Sequence, residues 1–174
     1  STSYDEDGLR FSVANPILHA DVVINMPKVK THVLTTLTAA IKNMFGSVPG
    51  FQKTQLHKQH PTPRQYGRLM AAIFEKVRPA LNIADGILAM EGDGPSAGTP
   101  VTLGLLAAST DAVALDLTLC RILKIDPRTV PYLPQKKGTA GKNGEPLNIR
   151  IVGSSISDVS PASFRVRSTL PARM

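Results

Sequence analysis

The sequence predicts an α/β fold with a mainly parallel sheet flanked by helices, and three observations support this. Asp21–Asn25 is a short β-branched run that closes before Pro27, which is typical of a buried strand leading into a loop. Similar runs follow at Leu81–Asp85, Leu103–Ala108 and Asn148–Val152. Segments with helical spacing of apolar residues separate them, and strands that alternate with helices favour a parallel sheet.

Apolar residues at three- and four-residue spacing predict the helices between these strands. The pattern is clearest from Val33 to Phe45, where Gly46 is expected to end the helix. Two more helices are predicted, one at Tyr66–Val77 and one that is capped by Ser109 or Thr110 and runs to Leu123. A very short helix is expected to start at the Asp-Pro step of residues 126–127.

The length of 174 residues suits one domain. We expect this domain to cover residues 1–153, with an amino end that does not look like a natural domain start, and a flexible tail at 154–174. No apolar run approaches the roughly 18 residues that a membrane span needs. One cysteine, Cys120, cannot hold an iron–sulfur cluster by itself, and a cytoplasmic setting is expected.

The net charge of +7 predicts an anionic partner, which is nucleic acid, a phosphorylated or carboxylate ligand, or the acidic face of another protein. The lysines and arginines are scattered along the chain and do not form a stripe. Aromatic residues make up 5% of the sequence and tryptophan is absent, so the stacking residues of single-strand binders are scarce. These observations argue against nucleic acid.

The first candidate site follows the first predicted strand, because ligands in open α/β sheets bind beyond the carboxyl ends of the strands. This loop contributes Lys28, Lys30 and His32, and an imidazole there can transfer protons or bind metal. On the predicted helix that follows, four residues share a stripe that suits an anion or cofactor: Thr31, Thr35, Thr38 and Lys42. The alternative is a solvated helix face.

A pair of histidines, His57 and His60, stands three residues apart in a segment flanked by glycine and proline. Two histidines at this spacing can bind one metal ion if the backbone between them is helical. The alternative is two exposed loop histidines. Together with His32, they place three of the four histidines of the chain within thirty residues.

A glycine-rich loop at residues 90–98 follows the second strand and its closing Asp85. Gly92 and Gly94 permit a ligand to approach the backbone closely, but the loop lacks the endings of nucleotide-binding glycine motifs. Glu91 and Asp93 are candidates to bind a cation or to pair with the lysines of the first loop. The alternative is an ordinary turn-rich surface loop.

Asp116 is the remaining candidate, because it lies among apolar residues of the third predicted helix. A buried carboxylate requires a partner, and Lys42 or Lys28 is expected to supply it. Cys120 in the same helix is interpreted as a core residue.

Several segments resemble the uncharacterised "domain of unknown function 362" family over about residues 17–153. The matching segments are residues 20–32, 40–46, 85–86, 91–95 and 111–116. The resemblance implies a prokaryotic cytoplasmic protein linked to redox metabolism, since members often carry ferredoxin-type iron–sulfur modules. It also implies that the chain corresponds to the carboxyl-terminal part of a larger domain, with a sheet that another chain completes.

A weaker resemblance is to the nickel-pincer lactate racemase family. That family has a loop histidine, a cofactor-bearing lysine ten residues later, a Pro-Gly step and a nickel-binding histidine. His32, Lys42, the Pro-Gly step of residues 49–50, and His57 or His60 follow this order. The glycine-rich run that precedes the lysine in the racemases is replaced here by residues 35–40, TTLTAA.

Two hypotheses of different class follow. In the first, the lysines hold an anionic substrate or cofactor, His32, Lys42 and Asp116 form the catalytic group, and a divalent metal binds at His57 or His60. A nickel-pincer-type racemase is a variant of this hypothesis. In the second, the chain is a non-catalytic module that docks through its basic surface on an iron–sulfur protein, another acidic partner or a second copy of itself.

Overall fold

The computed structural model describes residues 1–134 and 149–167. Its central element is a five-stranded sheet. The strands are β3 (Ile24–Asn25), β4 (Lys28–His32), β5 (Thr36–Thr38), β6 (Leu81–Glu91) and β7 (Thr99–Ser109). A separate hairpin of β1 (Thr2–Glu6) and β2 (Leu9–Val13) precedes it.

Both β3 and β4 run parallel to β6 and pair with the same edge of it. Pro27 separates them because its nitrogen has no hydrogen to donate, although its carbonyl accepts from the Asp85 N–H at 2.8 Å. The outer strands are antiparallel: β5 pairs with β4 and β7 with β6. Three of the five strands are therefore parallel, and the predicted α/β class with a mainly parallel sheet is confirmed.

Six α-helices accompany the sheet in the described part of the chain. They are α1 (Asn15–Leu18), α2 (Ala40–Asn43), α3 (Gln52–Gln59), α4 (Pro63–Val77), α5 (Ala112–Ile122) and α6 (Ile156–Val159), with 3₁₀ helices at Met44–Ser47 and Pro127–Thr129. The predictions of α4, of α5 and of the short helix after Asp126 are confirmed. The cap of α5 is Asp111, whose Oδ1 accepts from the Ala114 N–H at 3.0 Å, so the expected serine or threonine cap is wrong.

The core lies on one face of the sheet, under α4, α5 and the short α2. From α4 the buried face supplies Tyr66, Leu69, Met70 and Ile73, in the amphipathic spacing that predicted the helix. Leu115 and Leu119 of α5 are buried as well. The core therefore surrounds the segment between β4 and α3, where the sequence places its first candidate site.

The predicted helix at Val33–Phe45 is wrong. This segment forms β5, then the four residues of α2 and a 3₁₀ turn. Thr36 has a positive φ of 63°, which turns the chain sharply from β4 into β5. The threonines favour extended backbone because they are β-branched, and β4 offers them a pairing edge. The threonine stripe consequently does not lie on one helix face.

The predicted strand at Asn148–Val152 is also wrong where it can be compared: residues 149–152 form no strand, and Asn148 lies outside the described residues. The predicted loop at 136–144 lies outside them too. Part of the expected tail contains α6, and Gly92 and Val166 form an isolated bridge. The division into a domain at 1–153 and a flexible tail at 154–174 stays a prediction.

The opening residues form a hairpin that the sequence analysis missed. Asp7 and Gly8 both have positive φ, as a two-residue hairpin turn requires, and Glu6 pairs directly with Leu9. The Asp-Gly step between two alternating runs was the available signal. No helix in residues 1–134 or 149–167 is long and apolar enough to cross a membrane.

Gly67 allows α4 to pack against the backbone of Pro131. A Cβ atom at Gly67 would lie 2.5 Å from the Pro131 carbonyl carbon. We expect Gly67→Ala to lower the free energy of unfolding by about 1–3 kcal/mol, because overpacking outweighs the roughly 1 kcal/mol that alanine contributes to a helix. Urea unfolding measures this change.

The matched control is Gly46→Ala, since a Cβ atom there meets nothing within 4 Å. This variant is expected to unfold within about 0.5 kcal/mol of the parent. Equal stability of the two variants would contradict the packing described for Gly67.

Candidate functional site

His32 occupies the last position of β4 and is buried. Its Nδ1 accepts a hydrogen bond of 3.1 Å from the backbone N–H of Leu34. Since Nδ1 acts as the acceptor, the proton of the neutral ring resides on Nε2. The turn into β5 therefore fixes both the orientation and the tautomer of this imidazole.

His32 stacks with two aromatic rings, and a third ring packs against those two. Tyr66 stacks on it with ring centroids 6.1 Å apart, and His57 lies 6.5 Å from it. The Tyr66 hydroxyl and His57 Nε2 are hydrogen-bonded at 2.8 Å, and Phe45 packs edge-on against both rings at 5.6 Å. His57, on α3, is thus held as part of an aromatic cluster.

Two lysines impose a positive field on these rings. Burial is the main reason that the pKa of His32 falls to about 3, and the charges of Lys42, His57 and Lys30 lower it further. Burial also lowers the pKa of Lys42 to about 8, with a smaller contribution from Lys30. The pKa of His57 is lowered by burial and then by Lys42. His32 is therefore neutral at pH 7, and all the groups that shift its pKa are basic.

A buried hydroxyl completes this group. Thr38 is 5% exposed, and its Oγ1 has no hydrogen-bond partner among the described residues. Lys30 is the direct partner of Thr38 in the β4–β5 ladder, so their side chains project to the same face. Within the described residues, neither Lys30 nor Lys42 forms an ion pair. We call Lys30, His32, Thr38 and Lys42 the basic cluster.

Other predicted members of this site are engaged elsewhere. The Thr35 hydroxyl donates to the Leu37 carbonyl at 3.1 Å. Lys28 pairs with the carboxylate of Asp85 across the β4–β6 ladder, and both side chains are partly exposed. The ion pair lowers the pKa of Asp85, mainly through its hydrogen bond to Lys28. Within the described residues, none of the three forms a hydrogen bond or an ion pair with the basic cluster.

Asp116 holds α2 in place. Its two carboxylate oxygens accept from the backbone N–H groups of Ala40 and Ile41, at 2.7 and 3.0 Å. The expectation of a lysine partner is wrong, because the first turn of α2 supplies two free N–H donors at this position. Burial raises the pKa of Asp116 to about 7, against the lowering effect of the two hydrogen bonds.

A buried asparagine network, which the sequence analysis missed, ties α2 to the sheet. The Asn25 amide donates to the Ala40 carbonyl at 2.9 Å and to Asn82 Oδ1 at 2.8 Å. Asn43 in turn donates to Asn25 Oδ1 at 2.8 Å. The available signal was an asparagine inside each of two buried strands, where an amide requires partners.

The glycine-rich loop packs on the end of β4. The Gly94 N–H donates to Thr31 Oγ1 at 3.2 Å, and a Cβ atom at Gly94 would lie 2.8 Å from the Thr31 carbonyl carbon. Position 94 therefore requires glycine. This contact places the loop next to the residue that precedes His32.

The acidic residues of this loop pair with the carboxyl-terminal segment. Glu91 accepts from the backbone N–H and from Nε of Arg165, at 2.8 and 2.6 Å. Gly92 donates to the Arg165 carbonyl at 2.7 Å, and Asp93 lies 3.5 Å from Arg167 Nε. The expected pairing with the lysines of the first loop is wrong, because these arginines occupy the acidic groups.

The four predicted metal ligands are not brought together. Across residues 1–134 and 149–167, no group of three or more histidine, cysteine, aspartate or glutamate side chains is placed to hold a metal ion. His57 bonds to Tyr66, and His60 ends α3 with a pKa lowered by burial and by Arg68. Metal binding stays a prediction.

The pKa of Asp116 predicts how stability depends on pH. The folded pKa, about 7, lies above the ordinary aspartate value of about 4, so the folded state holds the proton more tightly. Its contribution to stability is complete below pH 4 and lost as the pH rises to 7. Urea unfolding of Asp116→Asn between pH 4 and 7 should show a flatter loss of stability than the parent. An unchanged slope would contradict this assignment.

The environment of His32 predicts an imidazole that does not titrate near neutrality. With a pKa of about 3, its ring signals in a ¹⁵N NMR titration should stay fixed between pH 5 and 8, in the pattern of an Nε2-protonated ring. Lys42→Met should raise this pKa, because it removes a neighbouring positive charge. Half-titration of the His32 signals near pH 6.5 in the parent would contradict the description.

Comparison with known proteins gives one family and one informative relative. The family model described as "Domain of unknown function (DUF362)" matches residues 3–121. A protein named "Thylakoid-associated protein sll1697", from Synechocystis sp., is 44% identical over 117 residues, which are 67% of this chain and 36% of the relative. The chain thus spans about a third of the length of this curated relative. No solved structure matches this chain.

Proposed function

Because the chain belongs to the DUF362 family, whose description assigns no activity, we propose a function from its own side chains: it binds a small anion at the basic cluster. The observation that carries the proposal is the buried Thr38 hydroxyl, which has no partner among the described residues and shares a face of the β4–β5 ladder with Lys30. Neither Lys30 nor Lys42 forms an ion pair in the described part of the chain, and the two amines are close enough for Lys30 to lower the pKa of Lys42. A ligand with oxygen acceptors would satisfy all three groups.

Binding of an anion would offset two desolvation penalties. A buried hydroxyl without a hydrogen bond costs about 1–3 kcal/mol. Lys42 is desolvated and near Lys30, so the charged form of its amine is disfavoured in the free protein. A bound anion would reverse both penalties, since it offers an acceptor to Thr38 and a counter-charge to the lysines.

In this proposal, His32 donates a hydrogen bond to the bound anion. Its Nδ1 is occupied by the Leu34 N–H, so Nε2–H is the group that remains for a ligand. A neutral imidazole donates one hydrogen bond without adding charge. Asp116 acts indirectly, as a positioning residue that holds the start of the helix carrying Lys42.

Removing the Thr38 hydroxyl separates binding from stability. Thr38→Val keeps the shape of the side chain and deletes the unpartnered oxygen, so we expect the free protein to gain about 1 kcal/mol in urea unfolding. Anion affinity should fall at the same time, because one donor is lost. A destabilised variant with unchanged affinity would contradict the proposal.

Calorimetric titration with oxalate and with inorganic phosphate, at matched ionic strength, tests binding directly. Lys42→Met should weaken the affinity at least ~10-fold, as expected for loss of a charged hydrogen bond of about 1.5–3 kcal/mol. The control is Lys58→Met, which removes an equal charge from an exposed position on α3. Equal affinities for the two variants would indicate a diffuse surface effect, which the docking-module hypothesis predicts and this proposal does not.

The expected links to redox metabolism, to a divalent metal and to a pincer-type racemase stay predictions. Metal analysis and intact mass of protein from its native host bear on them. A bound metal or a mass adduct on Lys42 would support the cofactor hypotheses, and a metal-free protein of unmodified mass would reject the pincer variant.

A further inference from the structure

We infer that Lys42 is a nucleophilic amine that condenses with the carbonyl group of small aldehyde- or keto-carboxylates, with Lys30 as the anchor of the carboxylate. This inference rests on the proposed anion site and names the class of ligand that the site takes. It assigns separate tasks to the two lysines of the basic cluster.

Lys42 carries a desolvated amine. The side chain is half-buried, and no ion pair in the described residues holds its charge. Burial and the neighbouring Lys30 lower its pKa to about 8, so a useful fraction of the amine is neutral near neutral pH. A desolvated lysine next to a second cation is the arrangement that activates amines toward carbonyl compounds.

Three further groups of the basic cluster are available to the rest of the ligand. Lys30 offers an ammonium to a carboxylate, and the Thr38 hydroxyl on the same face lacks a partner in residues 1–134 and 149–167. His32 keeps its proton on Nε2, which makes it a hydrogen-bond donor for a carbonyl oxygen. A carboxylate and a carbonyl on adjacent carbons would present acceptors to all of these groups.

The reaction balances without an oxidant or a reductant. The Lys42 nitrogen lone pair attacks the carbonyl carbon, and the carbon–oxygen π bond breaks to give a carbinolamine. The nitrogen loses two protons in total and the oxygen gains both. The carbon–oxygen single bond then breaks, water leaves, and an imine remains on Nζ.

Reductive trapping tests the inference on the full chain. The protein is incubated with glyoxylate and cyanoborohydride, and labelled lysines are located by peptide mass mapping. We expect Lys42 to gain a carboxymethyl group at least ~10-fold faster than Lys58, because an amine of lowered pKa is more often neutral than an ordinary lysine. Equal labelling of all lysines would overturn the inference.

The anchor is tested by changing the ligand. Lys30→Met should slow labelling of Lys42 by glyoxylate several-fold more than labelling by acetaldehyde. Acetaldehyde has no carboxylate, so it reports only the rise in the pKa of Lys42 that follows the loss of the Lys30 charge. Equal slowing with both aldehydes would overturn the role of Lys30. Folding of the variant is checked by its unfolding midpoint.

The two proposals fail in different ways. If oxalate binds and Lys42→Met abolishes that binding, but glyoxylate does not label Lys42 preferentially, the anion site stands and the imine inference is rejected. If oxalate does not bind and acetaldehyde labels Lys42 as fast as glyoxylate does, the anion site is rejected and Lys42 is a reactive amine only.

Discussion

The site depends on the two hydrogen bonds between Asp116 and the start of α2. A helix of four residues has little stability of its own, since nucleating a helical turn is unfavourable. Here the carboxylate satisfies two N–H groups, and the asparagine network holds the Ala40 carbonyl and Asn43. These contacts fix the segment that carries Lys42, which is otherwise too short to hold a geometry.

A second consequence of this arrangement is the electrostatic character of the cluster. Asp116, the one fully buried carboxylate in the described core, accepts hydrogen bonds from backbone N–H groups and not from a lysine. The acidic loop residues are paired with Arg165 and Arg167. Lys30 and Lys42 therefore keep their charges uncompensated by ion pairs in this part of the chain. The aromatic rings of Tyr66 and Phe45 lower the local polarity and increase the effect of each charge.

The sequence predicted those parts of the fold whose signals are local. The helix at Pro63–Val77 has a proline start, a capping box and a regular apolar face, and its prediction is confirmed. The helix predicted for residues 33–45 was wrong because leucines at helical spacing competed with β-branched threonines. Pairing with β4 favoured the strand β5. Asp116 stood out as a buried charge, but its partners lie 75 and 76 residues away on the backbone. Tyr66 was missed because an aromatic on an amphipathic helix is usually a core residue.

The tethering of α2 also has a consequence for the order of folding. Its contacts join residues that are 15, 75 and 76 positions apart in the sequence. The hydrogen bond between Asn25 and Asn82 joins residues that are 57 positions apart. Loops of this length close late, since their entropy is lost before the contact is gained. We therefore expect the basic cluster to assemble late in folding. A partly folded chain that has formed α4 alone would expose its lysines to solvent as ordinary surface charges.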